Sequence, residues 1–184
     1  MAIPHLVFRP PIDARVYGPG DDSLMPDNIG NVRVRTGRPS DAGPLSEVAQ
    51  EAKALWQYHP TWLESWRPQL TLTEQDLERM IVRVAESNDG IIGFGAVDRV
   101  SGGWEIAHLW VKPAFTRRGI GRTILGHLAD AAREAGAHRL RIESDPQAVA
   151  FYLSAGAVRT GSIPAPMPGA PERELPVLEL VLES

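Results

Sequence analysis

A chain of 184 residues with 43% apolar and 23% charged side chains suits one sizeable soluble domain and leaves little room for two. Its 19 basic and 23 acidic side chains give a formal charge of −4, which argues against a general nucleic-acid binder, because that needs a broad positive surface. No apolar run approaches the roughly 18 residues of a membrane span, and the absence of cysteine removes disulfides, thiolate metal sites and a cysteine nucleophile together.

The N-terminal stretch MAIPHLVFRPPIDAR lacks the basic start and long apolar centre of a signal peptide, so a cytoplasmic location is expected. Residues 1–31 contain Pro4, Pro10, Pro11, Pro19, Pro26 and three glycines without a sustained period of 2 or 3.6. They read as an irregular arm ahead of a single domain over residues 32–184. VRVRTG (32–37) alternates as a strand should. Ser40 and Asp41 then precede the helical pattern LSEVAQEAKALWQY, in which Leu45, Val48, Ala49, Ala52 and Leu55 or Trp56 share a face. The aromatic-rich stretch TWLESWRPQL follows Pro60, and Thr73 is the expected N-cap of a further helix, TEQDLERM.

IVRVAES and GIIGFGAVDR are strand-like runs joined by Asn88-Asp89-Gly90, a tripeptide suited to a tight hairpin. WEIAHLWVKP continues the meander after Ser101-Gly102-Gly103, and Pro113 ends it. From Gly119 the positions Ile120, Ile124, Leu128, Ala131 and Ala135 keep helical spacing as far as Gly136, a natural residue just past a helix end. HRLRIES, AVRTGS and LPVLELVL read as strands, and DPQAVAFYLSAG as a short helix between the first two. The five histidines, at 5, 59, 108, 127 and 138, show no close metal-ligand spacing, so no metal is expected.

The stretch TRRGIGRT (116–123) collects three arginines at a predicted strand-to-helix junction. A helix N-terminus offers unpaired N–H groups and a partial positive charge. Gly119 and Gly121 let an anion approach, and Arg117, Arg118 and Arg122 add charge able to pair with phosphate oxygens. A pyrophosphate is the natural guest; the bland alternative is a tight turn with solvated arginines. A P-loop is ruled out because no Gly-Lys-Ser/Thr follows, and a dinucleotide loop because position 124 is isoleucine.

On these residues the chain resembles the Gcn5-related N-acetyltransferase superfamily, whose acetyl-CoA loop reads [Gln/Arg]-x-x-Gly-x-[Gly/Ala]. Here it is Thr116-Arg117-Arg118-Gly119-Ile120-Gly121, with threonine in place of the long polar first residue. The family often carries Asn-x-x-Ala-x-x-[Phe/Leu]-Tyr, then Gly. This chain has Asp145, Ala148, Phe151, Tyr152 and Gly156 at those places. The resemblance runs from about Val32 to the C-terminus. It implies an α/β (α+β) fold with a mixed, mostly antiparallel central sheet of about 6–7 strands and about 4 flanking helices. It also implies acetyl-CoA as cosubstrate, and is compatible with a homodimer.

What the resemblance implies about residues follows the motifs. Arg117, Arg118, Gly119, Ile120, Gly121, Arg122, Asp145, Ala148 and Phe151 are the expected cofactor-binding residues. Leu109, Trp110 and Val111, in the segment LWVKP, belong beside the pantetheine and acetyl group. Acetyl transfer to an amine needs a neutral nucleophile, a polarised thioester and a protonated leaving thiolate. Backbone amides at 109–111 are suited to the second task. Tyr152 is the expected general acid, because a phenol of pKa about 10 stays protonated at neutral pH. Ala148, Phe151, Tyr152 and Ala155 equally form a helical core stripe. Glu105 is the first candidate for the base that takes the amine's proton. Strand parity puts it with Ala107, Leu109 and Val111 and turns His108 the other way unless a bulge intervenes.

The amine acceptor is expected between the first helices, the Glu105 strand and the late loop. Trp56, Tyr58 and Arg173 are the substrate-binding candidates, with Arg173 able to hold an acceptor carboxylate. The expected activity is acetyl transfer from acetyl-CoA to a primary amine of a small molecule or peptide. A non-catalytic acyl-CoA-binding or regulatory domain and a different phosphate-ligand enzyme are the rival readings.

Overall fold

The computed structural model describes residues 32–182. The proline- and glycine-rich arm expected over residues 1–31 lies outside the described residues. Seven strands form one sheet: β1 (Arg33–Thr36), β2 (Ile81–Ser87), β3 (Gly90–Val100), β4 (Gly103–Val111), β5 (Arg139–Glu143), β6 (Val158–Pro164) and β7 (Glu174–Val181), in the order β1-β2-β3-β4-β5-β7-β6. Every neighbouring pair is antiparallel except β4 and β5. The long helix α4 (Ile120–Glu134) connects those two, as a parallel crossover requires. The remaining α-helices are α1 (Ala42–Ala54), α2 (Pro60–Trp66), α3 (Glu74–Arg79) and α5 (Val149–Ser154).

The helices form where local chemistry closes their ends. Thr73 accepts from the Asp76 N–H while the Asp76 carboxylate accepts from the Thr73 N–H, a reciprocal cap that starts α3. Gly136, at φ 92, ends the α4 segment in the left-handed region that glycine enters without a Cβ clash. Along α4, Ile120, Ile124, Leu125, Leu128, Ala131 and Ala132 are buried, each large side chain contributing about 1.5–3 kcal/mol. This stripe sits on β3 where side chains are missing. A Cβ on Gly95 would come within 2.5 Å of Leu128 Cδ1 and 3.0 Å of Ile124 Cγ2. Gly93 and Gly95 thus form a trough for α4.

β4 carries a bulge that decides the site. His108 pairs with Ala96 and Ile106 with Val97, so Ala107 has no partner. The extra residue inverts the expected parity. Asp98 and Ala96 lie two residues apart on one face, and so therefore do their partners Glu105 and His108, with Trp110 following. Leu109 and Val111 face α4: a Cβ on Gly95 would meet Leu109 Cδ1 at 3.1 Å, and one on Gly93 would meet Val111 Cγ2 at 3.3 Å. The expectation that Glu105 shares a face with Leu109 and Val111 and His108 opposes it is corrected. The bulge turns Glu105 and His108 to the same side, away from α4.

Candidate active site

β4 and β5 are joined through the single register pair Glu105 and Arg141, after which no pairing holds the two strands together. Beyond that point Leu109 and Val111 have no strand partner on the β5 side. Lys112 N, by contrast, donates to Ile92 O at 2.8 Å, and Trp110, two residues earlier and paired with Phe94, turns its backbone groups the same way, toward β3. This corrects the expectation that amides at all three positions 109–111 serve the thioester. The helix that follows β4 begins beside this opening.

The loop into α4 is built to expose charge. Pro113 opens a short 3-10 turn over Pro113–Phe115, and Thr116 Oγ1 donates to the Pro113 carbonyl at 2.9 Å. Thr116 thereby fixes the loop. Arg117 takes a left-handed backbone at φ 63, costing roughly 1–2 kcal/mol for a residue with a Cβ, and Gly119 follows at φ 78 as the N-cap of α4. The first helical bond runs from Thr123 N to Gly119 O at 3.0 Å, so the N–H groups of Ile120, Gly121 and Arg122 have no intrahelical acceptor. Arg117 and Arg118 are exposed, and among the described residues no carboxylate pairs with either. Arg118 stacks 5.4 Å from the Phe115 ring. Arg122 is engaged differently, donating to Ser154 O at 2.7 Å and Ser154 Oγ at 3.2 Å, which ties α4 to the end of α5. These free cations and N–H groups suit a pyrophosphate.

In α5, whose end Arg122 ties to the start of α4, Tyr152 is fully buried and its hydroxyl has no hydrogen-bonding partner among the described residues. Burial pushes its phenol well above the usual tyrosine value, so it is a proton donor at neutral pH. Ala148 is also fully buried, while Phe151 is half-buried and packs edge-on against Tyr152 at 5.1 Å.

Glu105 is buried on the face away from α4. Arg141 Nη1 donates to it at 3.3 Å and also to Glu143 Oε1. Burial, reinforced by the neighbouring Glu143, raises the Glu105 carboxyl above its ordinary range, against the opposing pull of Arg141. That makes it a stronger base than a surface glutamate. His108 is neutral: burial pushes its imidazole down to about 4, and Trp110 Nε1 donates to its Nδ1 at 3.2 Å.

The three acceptor candidates converge. Trp56 and Tyr58 rings lie 6.0 Å apart, Tyr58 and Trp66 rings 5.1 Å apart, and the Arg173 guanidinium sits 5.4 Å from the Trp66 ring. Their centre is Asp145, fully buried, which accepts from Tyr58 Oη at 2.6 Å and lies 3.6 Å from both Lys53 Nζ and Arg173 Nη2. It also caps the turn at Pro146–Ala148 by accepting from Gln147 N at 3.0 Å. The carboxylate expected to meet the cofactor is thus engaged by side chains of α1, the segment after it and the loop before β7. Lys53 lies over the Trp66 ring at 3.9 Å, and burial lowers its ammonium to about 8 despite Asp145.

Lys53, Arg141 and Glu143 were missed by the sequence reading. Lys53 stands four residues after Ala49, inside the apolar stripe of α1, which is the signal it offers. Arg141 and Glu143 alternate with Leu140 and Ile142 and so resemble a solvent face, yet Glu143 is buried. Among the described residues no group of acidic or histidine side chains is arranged to hold a metal, and no helix is long and apolar enough to cross a membrane.

Comparison with known proteins agrees with this architecture. The acetyltransferase (GNAT) family matches residues 45–157. A GCN5-related N-acetyltransferase from Rhodopseudomonas palustris superposes with a TM-score of 0.68 at 18% identity, covering 82% of this chain and 95% of that one. YncA from Salmonella typhimurium, solved with its cofactor acetyl-CoA, gives 0.60 at 21% identity, covering 84% and 96%. An uncharacterized protein of Mycobacterium leprae is 33% identical over 91 residues, which is 47% of this chain and only 25% of that relative.

Proposed function

As the chain belongs to the acetyltransferase (GNAT) family, we propose that it transfers the acetyl group of acetyl-CoA directly to a primary amine of a small molecule or peptide. The observation that carries this reading is the exposed Arg117-Arg118-Gly119 turn at the N-terminus of α4, set beside the opening between β4 and β5. Unpaired N–H groups and free guanidinium groups suit a pyrophosphate there, and the opening suits an extended thiol-bearing arm. YncA, solved with acetyl-CoA, has the same fold.

Acetyl-CoA supplies a thioester whose carbonyl carbon accepts the amine nitrogen and whose sulfur leaves as a thiolate. Around it, the residues divide the work. Glu105 takes a proton from the ammonium, directly or through water, and leaves a neutral nucleophile. The backbone N–H groups of Leu109 and Val111, on the side of β4 away from β3, donate to the carbonyl oxygen as negative charge gathers on it. Tyr152 gives its proton to the leaving sulfur and regains one, through water, from the nitrogen as the amide forms, while the proton taken by Glu105 passes to solvent. The products are an acetylated amine and free CoA.

CoA release from acetyl-CoA across amines, amino acids, aminoglycosides and peptide N-termini tests the reading. Turnover with any amine supports it. Binding of acetyl-CoA without release across the whole panel would instead make the protein a non-catalytic acyl-CoA-binding domain.

A further inference from the structure

Two buried charged groups of opposite sign, Glu143 and Arg173, each keep one side-chain atom without a hydrogen-bonding partner among the described residues. Glu143 has a side chain only 4% exposed; Arg141 engages its Oε1, while its Oε2 has no partner among the described residues. Arg173 has a side chain 10% exposed; its Nη1 donates to Ala165 O at 3.3 Å. Its Nη2 is buried without a hydrogen bond, 3.6 Å from Asp145 and beyond hydrogen-bonding reach. A buried donor or acceptor left unmade costs free energy, so each group favours a ligand that completes it.

The surroundings set the charge each end prefers. Glu105, Glu143 and Arg141 carry two negative charges and one positive, leaving one negative charge over. Lys53, Arg173 and Asp145 carry two positive and one negative, leaving one positive charge over. The two centres sit along one extended run. Asp145 follows Glu143 by two residues, and with Ser144 N bonded to Pro176 O the chain stays extended, which sets the Cα atoms of these two residues roughly 6–7 Å apart. Arg141, Glu143 and Asp145 therefore alternate onto one face, where Arg141 bonds both Glu105 of β4 and Glu143, and Asp145 meets Lys53 of α1 and Arg173 of the loop before β7.

We infer that the acceptor is a zwitterion: an amino carboxylic acid whose ammonium meets Glu143 and whose carboxylate meets Arg173. The inference rests on the acetyl-transfer reading for what then happens to the amine, but the recognition itself does not. Glu143 holds the ammonium beside Glu105, which takes the proton. Arg173, steadied against Trp66 and by its own bond to Ala165, fixes the carboxylate. Simple amines without a carboxylate, and amino acid amides, keep the ammonium contact and lose the carboxylate contact.

The test compares free amino acids, from α-amino acids to ω-amino acids of increasing chain length, with their carboxamides. Titration calorimetry with and without CoA reads binding, and CoA release from acetyl-CoA reads turnover. The expected result is at least one acid binding tenfold or more tightly than its amide. Arg173→Gln should abolish that ratio, Arg173→Lys should restore part of it, and Glu143→Gln should weaken acid and amide alike. Melting curves confirm that each variant folds. Equal affinity of acids and amides across the series, or an unchanged ratio in Arg173→Gln, overturns the proposal. A protein that prefers acids yet ignores acetyl-CoA would overturn only the transfer reading. One that releases CoA equally with amides and acids would overturn only the zwitterion.

Discussion

Trp110 Nε1 donates to His108 Nδ1 at 3.2 Å, two residues along β4, so the ring nitrogen that accepts must be unprotonated. The histidine three residues after the candidate base is thereby held neutral in a buried position, and burial that lowers it to about 4 makes it a weaker proton acceptor than an ordinary imidazole, so Glu105 stays the first candidate for the base.

This has a consequence for stability. His108 titrates at about 4 in the fold against about 6.5 unfolded, so between those values the unfolded chain binds more protons. Its contribution is fully present above pH 6.5 and is lost as pH falls to 4, a swing of about 3 kcal/mol. Chemical denaturation at pH 7 and pH 4.5 should show His108→Leu losing less stability on acidification than the natural chain. Parallel losses would mean His108 is not held neutral.

Glu105 should govern the acid limb of activity. With its carboxyl raised by burial and Glu143, the basic form disappears at a higher pH than for a surface glutamate. The log of kcat/KM should fall with unit slope as pH drops through that raised value. Glu105→Gln should lower kcat by about a hundredfold or more and remove the limb. A pH profile identical to that of the natural enzyme would remove Glu105 from the role of base.

Tyr152→Phe separates chemistry from stability. Its hydroxyl is buried and unpartnered, so deleting it removes an unmet polar group and should leave the melting temperature unchanged or raised. Turnover should nevertheless fall about a hundredfold while acetyl-CoA affinity is kept. Unchanged kcat would assign Tyr152 to the core alone.

The three arginines of the turn should behave unequally. Arg117→Ala and Arg118→Ala should each weaken acetyl-CoA binding about three- to tenfold and flatten its dependence on salt, as expected when a free cation pairs with phosphate. Arg122→Ala should chiefly lower stability, by about 1 kcal/mol, because Arg122 is bonded to Ser154. Calorimetry over a salt series, alongside melting curves, checks both. Equal effects of all three on binding would contradict the distinction.

Much of the arrangement was legible in the chain. The helical spacing from Ile120 to Ala131, the Thr73 cap, the hairpin at Asn88-Asp89-Gly90 and the Gly-Ile-Gly turn are all local. Each depends on residues within a turn or two of one another, and each was read with nearly its observed boundaries. Trp56, Tyr58 and Arg173 were also singled out, though nothing local placed them around Asp145.

The sequence by itself determined the elements, their order and the charge of the turn into α4, because helix period, strand alternation and capping are short-range effects. Only the tertiary structure decided which way the catalytic candidates face. The bulge at Ala107 arises from how β4 registers against β3, and one unpaired residue was enough to move Glu105 to the side of His108. Asp145 meets Tyr58 across 87 residues of chain, and Glu143 is buried while Arg141, two residues earlier on the same strand, stays 37% exposed. Such pairings depend on distant segments packing together, so a charged residue on an alternating strand cannot announce whether it will face water or a site.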